Sequence, residues 1–229
     1  QPVGPKMVRL LELAQKYPQT AFSCLTDNAD TAMAISAVFA AQGRRLPVYL
    51  DLNVGMNRTG IKPDKAALEL YQYLHTLPGV QPVGLHAYDG HIHDTDMVTR
   101  KARCDAGYAP VEALAQQIAA GGLPQPVIIA GGTPTLPVHS KRKNIQCSPG
   151  TFVFWDWGYM KNFPEQAFEW AALVISRVIS VIDEQHICLD LGHKSVAAEN
   201  PQPRVHFLNA PAAQPISQSE EHLVLQVPD

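Results

Sequence analysis

Four short polar stretches, each carrying glycine, follow four apolar runs. "NVGMNRTG" (53–60) follows "VYLDL", and "YDGHIH" (88–93) follows "PVGLHA". "GGTPT" (131–135) follows "PVIIA", and "SPGT" (148–151) follows "IQC". Glycine has no Cβ, so its backbone N–H can approach an oxyanion closely. Gly131 and Gly132, with Thr133 and Thr135 beside them, offer amides and hydroxyls together. Ser148, Gly150 and Thr151 repeat the recipe one strand later. Two neighbouring corners of this kind make a cup for phosphate, and a helix starting at "TPTLPVH" would aim its N-terminal amides at the same spot. Neither GK[ST] nor G-x-G-x-x-G occurs, so the expected anion is a cofactor's phosphate monoester.

Arg58 sits between Gly55 and Gly60 after a buried-looking strand, where a guanidinium can donate to a phenolate or carboxylate. The plain alternative is a surface arginine. Tyr88 offers a ring face for a flat heterocycle and a phenol for proton transfer; it also fits a half-buried strand-end aromatic. His91 and His93 share one face of an extended segment. Metal ligation there needs a third ligand that no neighbour supplies, so hydrogen bonding within the loop is the simpler reading. Asp190, His193 and Lys194 lie close together in "LDLGHKSVAAE", while Glu220, Glu221 and His222 read as a charged turn. Lys194 follows the barrel-like segment and is not expected to form a Schiff base.

These corners need a scaffold that places them on one rim. Strand-like runs at 20–27, 46–55, 80–90, 124–133 and 144–151 alternate with helix-like runs at 28–43, 62–79 and 96–122. Residues 4–17 make a further helix with Met7, Leu10, Leu11 and Leu13 or Ala14 on one side. The long third run is expected to break near Pro110. βα alternation predicts parallel strands with crossover helices, and sites at the strands' C-terminal ends. Beyond residue 169 the pattern changes to strands without helices, at 170–183, 185–199, 204–210 and 220–227. The expected fold is therefore a (β/α)8 TIM-type barrel lacking its first strands, followed by an antiparallel β domain. Residues 1–160 fall to the barrel and 161–229 to the β domain. About five βα steps are present where a closed barrel takes eight, and the chain opens on a helix without an initiator Met. Both features are expected of a central piece of a longer enzyme.

Composition narrows the classes. The chain is 46% hydrophobic and 17% charged with a formal net charge of -3, so charge-driven binding to nucleic acid or a membrane surface is not expected. No apolar run is long enough to span a bilayer, and no signal peptide is visible. Cys24, Cys104, Cys147 and Cys188 form no C-x-x-C pair, which suits reduced thiols in a cytoplasmic protein.

At "DLNVGMNRTGI", "GLHAYDGH", "AGGT" and "CSPGTFVFWD" the chain resembles the D-threonine aldolase and D-serine dehydratase family. It is more distantly similar to barrel-type alanine racemase, the alanine racemase-like fold type III group. "LDLGHKSVAAE" and "SEEH" match the β domain of the aldolase branch. The resemblance implies pyridoxal 5'-phosphate (PLP) as cofactor, a divalent metal (Mn, Mg or Zn) in the full-length protein, and a small D-amino acid substrate. A homodimer is an assembly it leaves open. It implies that Arg58 contacts the cofactor's phenolic oxygen and Tyr88 packs by the pyridine ring. Gly131, Gly132, Thr133, Gly150 and Thr151 would hold the phosphate. Ser148 falls where racemases carry an arginine against the pyridine nitrogen, which speaks against racemisation. Tyr88, His91 and His193 are the expected catalytic side chains. The family's Schiff-base lysine is expected upstream of Gln1 and its metal pair downstream of Asp229, so no metal ligand is expected within this chain. The implied reaction is cleavage of a D-3-hydroxy amino acid to glycine and an aldehyde. Dehydration of D-serine, or cofactor binding without catalysis, are the alternatives.

Overall fold

A computed structural model of the chain describes residues 1–228. The chain divides into two compact units between Phe152 and Val153, ahead of the expected 160/161. In the first unit α1 (Pro5–Lys16) buries Met7 and Leu11 and leaves Leu13 exposed. After β1 (Cys24–Thr26), α2 (Ala29–Ala40) starts at Asn28, whose side chain accepts from the Thr31 N–H at 2.8 Å. Its buried residues, Ala32, Ile35, Ser36 and Phe39, recur at helical spacing. β2 (Leu46–Asp51) leads to α3 (Lys65–Thr76), capped by Asp64, and β3 (Val80–Ala87) leads to α4 (Met97–Ala120), capped by Asp96. β4 (Val127–Ala130), the one-turn α5 (Leu136–His139) and β5 (Ile145–Cys147) complete the unit.

The five strands are parallel and ordered β1-β2-β3-β4-β5. Each crossover adds its strand on the same side, with no reversal of direction. That is how a (β/α) barrel is wound, whereas a doubly wound sheet reverses at a switch point. The pairing of β2 with β3 shifts between Val48 and Tyr49, opposite Pro82, which has no N–H for the ladder. Val48, Leu50, Val80 and Leu85 from the strands pack with Ile35, Leu74, Val111 and Ile118 from the helices in one core.

α4 runs unbroken through Pro110, against the expected break. The ring costs about 3 kcal/mol in a helix interior. Val111, Leu114, Ala115 and Ile118 just beyond it are buried, and each large aliphatic returns about 1.5–3 kcal/mol. Packing therefore outweighs the local defect. No helix among the described residues is long and apolar enough to cross a membrane.

The second unit opens with α6 (Trp157–Asn162), capped by Asp156. It then forms an antiparallel sheet of β6 (Val178–Val181), β7 (His186–Leu189), β8 (Gln214–Gln218) and β9 (Leu223–Gln226), in the order β6-β7-β9-β8. Leu189, Leu191, Leu223 and Leu225 form its core. Three expectations fail here. Of 170–183 only β6 is strand, of 185–199 only β7, with a 3-10 turn at His193–Ser195, and 204–210 is irregular, its Val205 and Phe207 packing on the core without joining a ladder. The strand the sequence did not announce is β8, which carries Pro215. β8 is an edge strand, which tolerates a proline because one side of its ladder is unpaired.

Candidate functional site

The corner after β2 is pinned from several directions. Asn53 Oδ1 accepts from the N–H groups of Gly55 and Asn57, at 3.0 and 3.1 Å. Thr59 donates to Asp51 Oδ2 at 2.7 Å, and the Gly60 N–H donates to Asp27 Oδ2 at 2.9 Å. Gly60 has φ +96, and a Cβ there would stand 2.6 Å from the Asn53 nitrogen, so only glycine fits. This frame carries Arg58, whose guanidinium carbon lies 4.8 Å from the Tyr88 ring centroid, a cation–π contact.

Tyr88 is half-buried at the end of β3. A Cβ on Gly90 would overlap its phenol, and a Cβ on Gly132 would stand 3.1 Å from its Cε2. The His91 ring lies against Gly55, where a Cβ would stand 2.6 Å from Nε2. Burial, and then the charge of Arg103, hold the His91 imidazole below its ordinary pKa. Thr133 and Thr151 share a hydroxyl–hydroxyl bond of 3.2 Å, and Ser148 Oγ donates to the Gly131 carbonyl at 3.0 Å. Arg58, Tyr88, His91, Gly131, Gly132, Thr133, Ser148 and Thr151 thus form one connected rim at the C-terminal ends of β2 to β5. Exposed Gly150 lies on the same corner as Ser148 and Thr151.

Other expectations change. α5 is a single turn of four residues, too short to present a helix dipole to an anion. Thr135 is not a free donor at the rim. It is fully buried, takes the Gly132 N–H on its Oγ1 at 3.0 Å and donates to Asp89 Oδ1 at 2.7 Å. His193 belongs to the second unit, where it begins a 3-10 turn and its N–H bonds the Ser219 carbonyl at 2.9 Å. Lys194 is tied to Glu220 and Glu221 at 2.7 and 3.1 Å, and those carboxylates raise its pKa. Among the described residues His91 and His93 belong to no cluster of three ligands suited to a metal.

Two polar networks behind the rim were not foreseen. Asp51 holds the ring of His86, Nδ1 to Oδ1 at 2.8 Å, while its other oxygen takes the Thr59 hydroxyl. The signal was present: an acid and an imidazole interrupt the apolar runs of "VYLDL" and "GLHA". The second network joins Asp89, Cys104, Thr135 and His139. Burial, and then the charge of Asp89, push the Cys104 thiol up to about 12. Nδ1 atoms of His91 and His139 are buried without a hydrogen-bond partner. Nothing in the spacing of residues 89, 104, 135 and 139 announced this group.

Consecutive parallel strands with glycine corners on one rim, followed by an antiparallel β unit, define an alanine racemase-like fold. The chain belongs to the alanine racemase N-terminal domain family, which matches residues 8–156, and residues 171–229 match a putative serine dehydratase domain. It is 28% identical to a D-threonine aldolase from an Arthrobacter species over 229 residues, covering 98% of this chain and 59% of that protein. It is 24% identical to a 3-hydroxy-D-aspartate aldolase from Paracoccus denitrificans, covering 98% of this chain and 60% of the relative. The crystal structure of D-threonine aldolase from Filomicrobium marinum superposes with a TM-score of 0.87 at 25% identity, covering 98% of this chain and 60% of that one. The chain thus spans about three fifths of the length of these relatives.

Proposed function

We propose that this chain forms the cofactor-binding core of a PLP-dependent lyase that cleaves D-3-hydroxy amino acids, such as D-threonine, to glycine and an aldehyde. The observation that carries this reading is the rim itself: Arg58 against the Tyr88 face, beside the bare Gly132 and the paired hydroxyls of Thr133 and Thr151. It fits PLP in kind. A permanently charged guanidinium suits the phenolic oxygen, an aromatic ring suits the pyridine, and hydroxyls with glycine amides suit a phosphate. Arg58 and Tyr88 would hold the ring, Gly131, Gly132, Thr133, Gly150 and Thr151 the phosphate, and Ser148 would face the ring nitrogen. When bound, the cofactor supplies an electron sink for the pair released as the Cα–Cβ bond breaks.

The protein's own contribution is proton handling and orientation. The 3-hydroxyl must lose its proton for the aldehyde to form. His91, kept neutral near pH 7 by burial, is a suitable acceptor. Tyr88 positions the substrate with its phenol. The divalent metal belonging to this reading finds no three-ligand set among the described rim residues, so no step here runs through one. Four free cysteines support a cytoplasmic setting.

A second reading, D-serine dehydration to pyruvate, is favoured by the dehydratase-domain match over residues 171–229. Product analysis on the full-length gene product separates them. Aldehyde and glycine from D-threonine support the aldolase, and pyruvate from D-serine supports the dehydratase. PLP binding with turnover of neither substrate removes the catalytic reading.

A further inference from the structure

Behind the rim, three ligand atoms of different chemistry meet at one buried point. Asp89, Cys104 and His139 are only 4%, 1% and 2% exposed. They come from the corner after β3, from α4 and from α5. Asp89 Oδ2 lies 2.9 Å from His139 Nε2, and Cys104 Sγ lies 3.0 Å from the same nitrogen and 3.8 Å from the same oxygen. We propose that this cluster binds a single thiophilic divalent ion, zinc above others, at a site separate from the cofactor rim.

Four physical arguments support it. The first is valence. An imidazole nitrogen has one in-plane position, which holds either a proton or a lone pair. Nε2 of His139 faces both a carboxylate and a thiol, at 2.9 and 3.0 Å, and the bond the thiol itself donates, to Asp89 Oδ2, is long at 3.8 Å. An ion at the common point serves all three. The second is spacing. Zinc holds nitrogen and oxygen ligands at about 2.0 Å and sulfur at about 2.3 Å, which separates tetrahedral ligands by roughly 3.3–3.5 Å. The present separations of 2.9, 3.0 and 3.8 Å need only small side-chain adjustments to reach that.

The third is charge. A carboxylate and a thiolate balance a dication, leaving a buried site neutral. The thiol releases its proton to solvent as the sulfur–metal bond forms. Arg142 approaches from over the Tyr108 ring, 4.2 Å from its centroid, and pairs with Asp105, which it shares with Lys101. Mixed sulfur, nitrogen and oxygen ligands suit zinc and not the oxygen-seeking magnesium or calcium. The fourth is the surroundings. Thr135 donates to Asp89 Oδ1 at 2.7 Å and so turns Oδ2 toward the cluster, as outer partners of metal ligands do. Beside it lies a void of about 10 Å³ bounded by Asp89, His139 and Tyr108 among others.

The test uses the chain stripped by chelator and dialysed against zinc or cobalt. The expected result is one zinc per chain by elemental analysis. Cobalt should give a thiolate charge-transfer band in the near ultraviolet, which Cys104→Ser abolishes. X-ray absorption at the zinc edge of the unmutated chain should show one sulfur at about 2.3 Å with nitrogen and oxygen neighbours; this reading does not depend on the variant folding. Failure to retain zinc, a sulfur-free zinc shell, or an unchanged cobalt band in a folded Cys104→Ser chain would overturn the proposal. None of these readouts depends on PLP binding or lyase activity.

Discussion

Replacing Thr135 with valine tests the hydrogen-bonded frame under the rim. The exchange swaps a hydroxyl for a methyl of similar size at a fully buried position. It deletes the bond to Asp89 Oδ1 at 2.7 Å and the one accepted from the Gly132 N–H at 3.0 Å. A bond to a charged group contributes about 1.5–3 kcal/mol, and a buried amide left without a partner costs about 1–3 kcal/mol. The added methyl returns about 1 kcal/mol. The first unit should therefore lose about 1.5–5 kcal/mol. Thr135→Ser keeps the hydroxyl and loses one methyl, which costs about 1 kcal/mol. Urea denaturation of the metal-stripped chain, followed by far-ultraviolet circular dichroism, measures the difference. All five helices α1 to α5 lie in the first unit. Trp155, Trp157 and Trp170 all lie in the second, so tryptophan fluorescence serves as an internal control. A valine variant within about 0.5 kcal/mol of the parent, or one more stable than the serine variant, would refute the reasoning.

Three other outcomes are expected. Arg58→Ala in the full-length gene product should weaken PLP binding about 10–100-fold, the equivalent of one charge-assisted hydrogen bond, with Arg58→Lys recovering only part; unchanged affinity in a cofactor titration would remove Arg58 from the rim's binding set. Gly60→Ala, forced into φ +96 with its Cβ 2.6 Å from the Asn53 nitrogen, should destabilise the first unit by more than about 2 kcal/mol in the same urea assay; a neutral effect would mean the loop relaxes freely. His75 and His91 are both held below the ordinary imidazole value, first by burial and then by Arg45 and Arg103 respectively. The unfolded chain therefore takes up protons first, so stability is full above about pH 6.5 and falls as the pH drops below it. His75→Gln should flatten that slope in urea midpoints measured against pH, and an unaltered slope would contradict the assignment.

The rim was legible because its residues are local. Each corner lies within nine residues of the strand that positions it, and buried parallel strands announce themselves as apolar runs. Glycine beside arginine or threonine then marks where backbone must come close to a ligand. Legibility failed where the structure depends on distance in sequence. Asp89 and His139 are fifty positions apart, and only the winding of the sheet brings α4 and α5 to the same corner. Thr135 looked like a rim donor because its partner, Asp89, could not be known. In the second unit the run at 204–210 reads as a strand, and its Val205 and Phe207 do pack on the core, but burial of side chains does not make the backbone pair. β8 was hidden by Pro215, whose cost depends on lying at an edge, a property of the sheet and not of the residue.

The sequential strand order has a consequence for how the first unit is made. Every strand pairs with the one just before it, so each new helix and strand can dock on a surface already assembled. A nascent chain emerging from the ribosome would have its next partner waiting. The slow search that widely separated pairings impose is avoided. The buried links of Asp89 to Thr135 and His139 must wait, and they close when the α5 corner arrives, late in synthesis of the unit.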